Sequence, residues 1–517
     1  MDKNVTIIGA GLAGSEAALQ LADRGAHVRL CEARPLCKSS VHKTDTCAEL
    51  VCSNSLKSTK LNSAAGLLKE ELARLHSRLY ACALACKVDA GGALAVDRTR
   101  FSAAVHKRVL EHPNIHFERN AVSSIAELAA ASDACIVASG PLTTDALVRD
   151  LRAYTGSDAL AFYDAAAPIV ETSSLRFDRL FLQDRYEDAV PVHTTGALRD
   201  ALPCVASAVA CDTNPKAKPG AASDAACVPA GDAAPDAIPP APLDATTATA
   251  PAAYLNAPLS QEEYEHFIHE LVHAKRVILR DFETKDLFQA CQPIEEIARK
   301  GLDAPRFGAL KPVGLRDPRT GKRPYAVVQL RAENAEKTAY NLVGFQTNLT
   351  FPEQKRVFQL IPALSEAEFS RYGVMHRNTF LCAPRLLNAN LQLTSLAQTL
   401  PCPVYVAGQL SGSEGYSEAI RSGLHVALAV AAQLSGLRAP VIPDETVFGS
   451  LLHYMTHAEP QHFQPMHVNF GIMKPLDVPC KNKTQRYTAY AQRASRALEN
   501  YASELENLGL LKAEYGK

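Results

Sequence analysis

Three glycines near the start of the chain have the types and spacing to hold a dinucleotide. Gly9, Gly11 and Gly14 follow the β-branched run Val5, Thr6, Ile7 and Ile8 in G-x-G-x-x-G register. Gly9 allows a tight turn, Gly11 lets the backbone approach a pyrophosphate, and Gly14 lets a helix lie close on the strand. Ala10, Leu12 and Ala13 complete the turn and open an alanine-rich helix over about residues 12–24. Its N-terminus offers free N–H groups and about half a positive charge to phosphates. Gly25 ends the helix, residues 28–31 form the next strand, and Glu32 closes that strand, where its carboxylate can accept hydrogen bonds from an adenosine ribose. The order strand, glycine turn, helix, strand, acid predicts dinucleotide binding; a plain strand–helix–strand turn is the alternative.

Two cysteines stand apart from the other twelve of the fourteen. Cys52 lies in a polar loop beside Ser53 and Asn54, and Cys291 precedes Pro293, which is suited to start a helix. A thiol near a helix N-terminus has a lowered pKa and becomes a better nucleophile. By spacing alone each is equally a small buried residue. Cys82 and Cys86 sit one helical turn apart without a second pair at zinc spacing, so no metal site is expected. Lysines and arginines cluster at Lys311, Arg316, Arg319, Lys322 and Arg323. They cluster again at Lys481, Lys483, Arg486, Arg493 and Arg496, interleaved there with Tyr487 and Tyr490. Such sets neutralise phosphates and stack on unpaired bases, or they are solvated surface. Arg371, Tyr372, His376 and Arg377 bring two flat rings near two guanidinium groups, a set suited to a heterocycle with a carboxylate tail or to ordinary packing.

The elements that must position these residues follow an α/β pattern. A helix is expected over residues 62–85 with Asn62 as its N-cap, a strand over 93–96, a helix over 101–111 and a strand over 114–117. Residues 135–140 read as a buried strand ending at Gly140. Residues 404–409 repeat that form, ending at Gly408 and Gln409 before a helix over 418–434. The chain thus leaves a nucleotide domain and returns to it. The expected fold is a Rossmann-like split FAD-binding domain with a smaller inserted α/β domain. Its first part spans residues 1–160, the insertion 161–325, the second part 326–450, and a C-terminal helical segment 451–517, with a helix over 495–510. Residues 188–251 are rich in Ala and Pro and poor in large apolar residues, which predicts a flexible insert; Cys204, Cys211 and Cys227 within it read as incidental thiols.

Composition sets outer bounds. The 517 residues suffice for two or more domains, and the net charge of −1 leaves any RNA-binding surface to local clustering. The apolar strand begins almost at Met1 without a basic leader, and no apolar run reaches membrane-spanning length. A soluble, cytoplasmic protein is expected, with no membrane association and no obligate protein partner.

The glycine motif, continued as residues 9–18 (GAGLAGSEAA), resembles that of the GidA-like flavoproteins. Residues 49–57 (ELVCSNSLK), 91–98 (GGALAVDR), 162–169 (FYDAAAPI), 311–330 (KPVGLRDPRTGKRPYAVVQL), 372–380 (YGVMHRNTF) and 463–471 (FQPMHVNFG) narrow the resemblance. Together they are similar to the folate- and FAD-dependent tRNA (uracil-5-)-methyltransferase family, over most of the chain outside the Ala/Pro stretch and the last few dozen residues. The resemblance implies methylation of the T-loop uridine of tRNA. The carbon comes from 5,10-methylenetetrahydrofolate, and the hydride from FAD reduced by NADH or NADPH. It implies that Cys291 attacks C6 of the pyrimidine and that Cys52, near the flavin, removes the C5 proton. It makes His376 and Tyr372 candidates for stacking on folate or flavin, and the basic clusters, Lys311 and Arg323 among them, candidate substrate contacts in the T-arm. Ala257 stands where family members often carry Cys, so that position has no part in the expected chemistry. Two rivals remain: a GidA-like enzyme modifying the wobble uridine, whose branch carries a longer C-terminal helical domain, and an FAD-containing tRNA-binding protein without turnover.

Overall fold

A computed structural model of the chain describes residues 2–37, 41–155, 160–165, 167–186, 254–277, 292–334, 336–373, 375–394, 400–461, 463–478 and 480–511. The Ala/Pro stretch and Cys291 lie outside the described residues.

The first domain is built on a five-stranded parallel sheet. Its order is Val404–Val406, Ala134–Val137, β1 (Asn4–Ile8), β2 (His27–Glu32) and Ile115–Arg119. The central strands are short apolar runs buried on both faces, as parallel strands are, while the edge strand Ile115–Arg119 is only partly covered. Ile7, Leu30, Ile136 and Val406 are fully enclosed. The return of the chain after its long excursion therefore adds an edge strand beside the strand that ends near Gly140. Helix α1 (Leu12–Asp23) and the long helix Tyr416–Leu434 pack on this sheet.

The second domain is antiparallel. Its six-stranded sheet runs Phe181–Leu182, Tyr254–Leu259, Ala326–Ala332, Ala339–Leu342, Ile169–Glu171 and Phe369–Arg371. The helix Gln261–His273 covers it with Tyr264, Phe267 and Leu271. A capping box fixes the start of that helix, with Ser260 and Glu263 each accepting from the other's backbone N–H. The expected boundary at 326 is thus corrected: strands 326–332, 339–342 and 369–371 all complete the inserted sheet, because residues 326–332 alternate into the second core rather than the first. The link between domains is a ribbon of two antiparallel strands, Leu160–Ala165 leaving and Met375–Phe380 returning.

Two helices also differ from expectation. The stretch 62–85 forms two, Ala64–Arg74 and Arg78–Ala85, capped by Ser63 and Ser77 rather than Asn62. His76 takes a positive φ of 56° between them, and the buried Glu16 carboxylate accepts from Ser77 Oγ and Leu79 N–H at the new helix start. The leucine stripe faces one core throughout, so its period could not show the break. The C-terminal helix begins at Lys483 rather than near Ser495, and runs to Asn507. Among the described residues no helix is long and apolar enough to cross a membrane.

Candidate active site

The glycine turn behaves as its spacing requires. Gly9 has φ +103°, and a Cβ on Gly14 would lie 1.9 Å from the Gly9 carbonyl oxygen, so helix and turn touch backbone to backbone. A Cβ on Gly11 or Gly140 would meet nothing within 4 Å. Gly11 faces two adjoining cavities, of about 90 and 300 Å³, that share Gly11, His42, Ser139 and Leu142 in their walls, and Gly140 faces the larger. Helix α1 has no side-chain cap and no acid in its first turn, which leaves its N–H groups for an anion. The smaller cavity is lined by Glu32 and the larger by Leu12, Ala13, Gly408, Gln409 and Cys52. Two joined cavities that meet at the Gly11 turn and the uncapped helix start, one lined by Glu32 and the other wider, fit FAD.

Glu32 is more engaged than its sequence position suggests. One carboxylate oxygen accepts the Ala10 N–H at 2.9 Å, and the other accepts the Arg34 N–H and Nε at 3.0 and 2.8 Å. Burial pushes its pKa up, but Arg34 and the two N–H groups outweigh burial and hold the carboxyl below its usual range. A carboxylate has about four acceptor sites; three are used to shape the turn, leaving one for a ribose hydroxyl. Ala10 therefore contributes by positioning Glu32 through its N–H and lines neither cavity.

The Cys52 loop forms one wall of the larger cavity and is held from both domains. The Tyr416 hydroxyl accepts the N–H groups of Cys52 and Ser53 at 2.8 and 3.1 Å. Burial, then the neighbouring Cys52, push the Tyr416 pKa up, so the hydroxyl keeps its proton. Arg371 donates to the Val51 carbonyl, and Arg98 to the Leu50 and Cys52 carbonyls. Arg98 is paired at 2.7 Å with Glu333 of the second domain. Asn54 donates to the Ala332 carbonyl and accepts from Arg331, each at 2.9 Å. Sequence reasoning missed Tyr416, Arg98 and Glu333. It singles out Arg371, but for a heterocycle rather than for this loop.

The other expected site residues divide. Gly140, Gly408 and Gln409 line the same cavity as Cys52. Gln409 donates to Glu414, and the Gly408 N–H to Ser422 Oγ at 2.7 Å. His376 lies on the returning strand, two positions before cavity-lining Asn378; its side chain lies outside what is described. The Tyr372 ring is stacked on Phe351 at 4.9 Å and on Phe369 at 5.2 Å, so its apolar surface is engaged within the second domain. Lys311 and Arg323 are exposed on that domain and outside the cavity wall. Among the described residues no group of His, Cys, Asp and Glu is arranged to hold a metal.

Comparison with known proteins agrees with this geometry. The family model described as glucose inhibited division protein A matches residues 4–217 and 242–438, and its gap falls within the Ala/Pro stretch. The Aquifex aeolicus GidA structures superpose with TM-scores of 0.63 and 0.61, at 15% and 14% identity. They cover 99% of this chain and 77% and 74% of theirs. The protein is therefore a GidA-like flavoprotein in fold. Methylenetetrahydrofolate--tRNA-(uracil-5-)-methyltransferase TrmFO of Symbiobacterium thermophilum is 44% identical over 504 residues, 97% of each chain. Those of Anoxybacillus flavithermus and Bacillus subtilis are each 42% identical over 97% of this chain and 100% and 99% of their own. Within the GidA-like proteins this chain belongs to the TrmFO family.

Proposed function

We propose that this protein methylates C5 of the T-loop uridine in tRNA, taking the carbon from 5,10-methylenetetrahydrofolate. The observation that carries the reading is the single cavity whose wall joins the Gly11 and Gly140 cradle to the Cys52 loop. Its relatives at more than 40% identity are named for the same reaction.

Bound FAD, reduced by NADH or NADPH, supplies the hydride that completes the methyl group. The chain supplies the rest. Uracil C5 is a weak nucleophile until a thiolate adds to C6 and moves the ring electron pair onto C5. Cys291 is that nucleophile. C5 then bonds to the methylene carbon as that carbon's bond to folate N10 breaks, and Cys52 removes the C5 proton as general base. The electron pair left on C5 expels the folate N5 and forms an exocyclic methylene with Cys291 still on C6; once hydride has been added to that carbon, the pair returned to C5 expels the Cys291 sulfur and restores the C5–C6 double bond. Cys291 lies three residues before Ile294, whose N–H donates at 2.7 Å to the carbonyl of Gln346, a residue of the cavity wall. His376 and Asn378 on the returning strand, with Arg323 and Lys311 outside, are the proposed contacts to folate and to the T-arm.

The test is methylation of a tRNA transcript with labelled methylenetetrahydrofolate, read by nucleoside mass spectrometry. 5-Methyluridine in the T-loop is expected, and Cys291→Ala is expected to abolish it while FAD stays bound. Transcripts carrying 5-fluorouridine should trap the Cys291 adduct, because fluorine at C5 cannot leave as a proton. Product at the wobble uridine, or none with folate and reductant, overturns the reading. Anaerobic bleaching of the flavin by NADH or by NADPH identifies the reductant.

A further inference from the structure

Between residues 471 and 498 the chain holds Lys474, Lys481, Lys483, Arg486, Arg493 and Arg496 against a single acid, Asp477, in a protein of net charge −1. Lys481, Lys483 and Arg496 are exposed and make no ion pair among the described residues. Aromatic rings organise the set. Phe470 stacks on Tyr490 at 5.4 Å and meets Tyr487 at 4.4 Å. Lys483 and Arg486 lie over the Tyr487 ring at 5.5 and 5.8 Å, and Arg493 lies over Tyr490 at 5.3 Å. Helix stability does not explain these charges. Cations near a helix N-terminus oppose its dipole, and the first turn of Lys483–Asn507 contains no acid.

The patch is continuous with the candidate active site. The Val468 N–H donates at 3.3 Å to Glu418, which lines the larger cavity, and the Met466 N–H donates to the Gly412 carbonyl at 3.0 Å. Phe470 follows Val468 by two residues, about 7 Å of chain. We infer that the face formed by Lys481 and Lys483, at the start of the helix whose Tyr487 ring meets Phe470, binds the phosphate backbone of the substrate tRNA while its target base is in the cavity. This rests on the functional reading above. The occupant is RNA backbone because a concentrated positive face beside the cavity complements closely spaced phosphates, and each neutralised phosphate releases counterions.

The test uses the full-length, FAD-loaded enzyme and a tRNA transcript. The KM for tRNA is measured from roughly 50 to 300 mM salt, a range over which phosphate contacts change affinity steeply. In Lys481→Glu/Lys483→Glu, KM should rise about tenfold or more, and the slope of log KM against log salt should fall by about two. The kcat and the rate of flavin reduction without tRNA should stay at wild-type values. The control Lys87→Glu/Lys107→Glu makes the same charge change elsewhere and should leave the slope unchanged. An unchanged slope in the first variant, or an equal loss in the control, overturns the surface. A wild-type enzyme that forms no 5-methyluridine overturns the functional reading as well, which separates the two failures.

Discussion

The two domains shape one cavity by opposite means. The first domain contributes backbone and empty space: Gly11 and Gly140 work because no Cβ is there, and α1 offers uncapped N–H groups. The second contributes charged side chains that reach across the boundary. Glu333 pairs with Arg98, and Arg331 holds Asn54, so the Cys52 loop is gripped from both sides. The lesson is that the cofactor end should be sensitive to added atoms and the catalytic loop to removed ones.

Gly14→Ala breaks the comparison most severely. Its Cβ would fall 1.9 Å from the Gly9 oxygen, so both folding of the first domain and FAD binding should fail. Thermal unfolding and flavin absorbance should both register the loss, by about 3 kcal/mol or more for such overpacking. Gly11→Ala sharpens it. That Cβ meets no protein atom, so the unfolding temperature without cofactor should match wild type while FAD affinity drops at least tenfold, measured by flavin titration.

Tyr416→Phe tests the other end. It leaves the Cys52 and Ser53 N–H groups without their acceptor, at about 1–3 kcal/mol. FAD should remain bound and kcat should fall about tenfold in a tRNA methylation assay. A variant that lost FAD instead would place Tyr416 with the cofactor cradle rather than the loop.

The smallest effect concerns a charge buried behind the cavity. Burial pushes Lys69 down to about 8, with Glu418 opposing and Lys57 adding to the shift. An unfolded lysine titrates near about 10.4. Between these values the unfolded chain binds more protons, so stability rises with pH. Below pH 8 the buried charge costs stability, relieved as pH climbs towards 10. Urea melts of wild type and Lys69→Met should therefore converge or cross in that window, by on the order of 2 kcal/mol. A constant difference between the two across pH 7 to 10 refutes the assignment.

Much of the first domain was legible because its signals are local. The glycine turn, the strand ending at Gly140 and the return at Gly408 each follow from a few adjacent residues. The loop clamp was not legible, since Arg98, Glu333 and Tyr416 are far apart in sequence and nothing local pairs them. The boundary was misplaced for a related reason: strands 326–332 and 339–342 read as strands, but pairing with Tyr254–Leu259 and Ile169–Glu171 assigns them to the second sheet. The helix break at His76 was hidden because both halves bury leucines in one core.

The two-stranded ribbon has a practical corollary. Ala165 and Met375 are direct partners in it, so the points where the inserted sheet begins and ends are neighbours in space. A short turn joining them would close the parent chain without spanning a gap, but it would strip Arg98 of Glu333 and Asn54 of Arg331 and the Ala332 carbonyl, so the insert is a structural partner of the Cys52 loop as well as an addition to the chain.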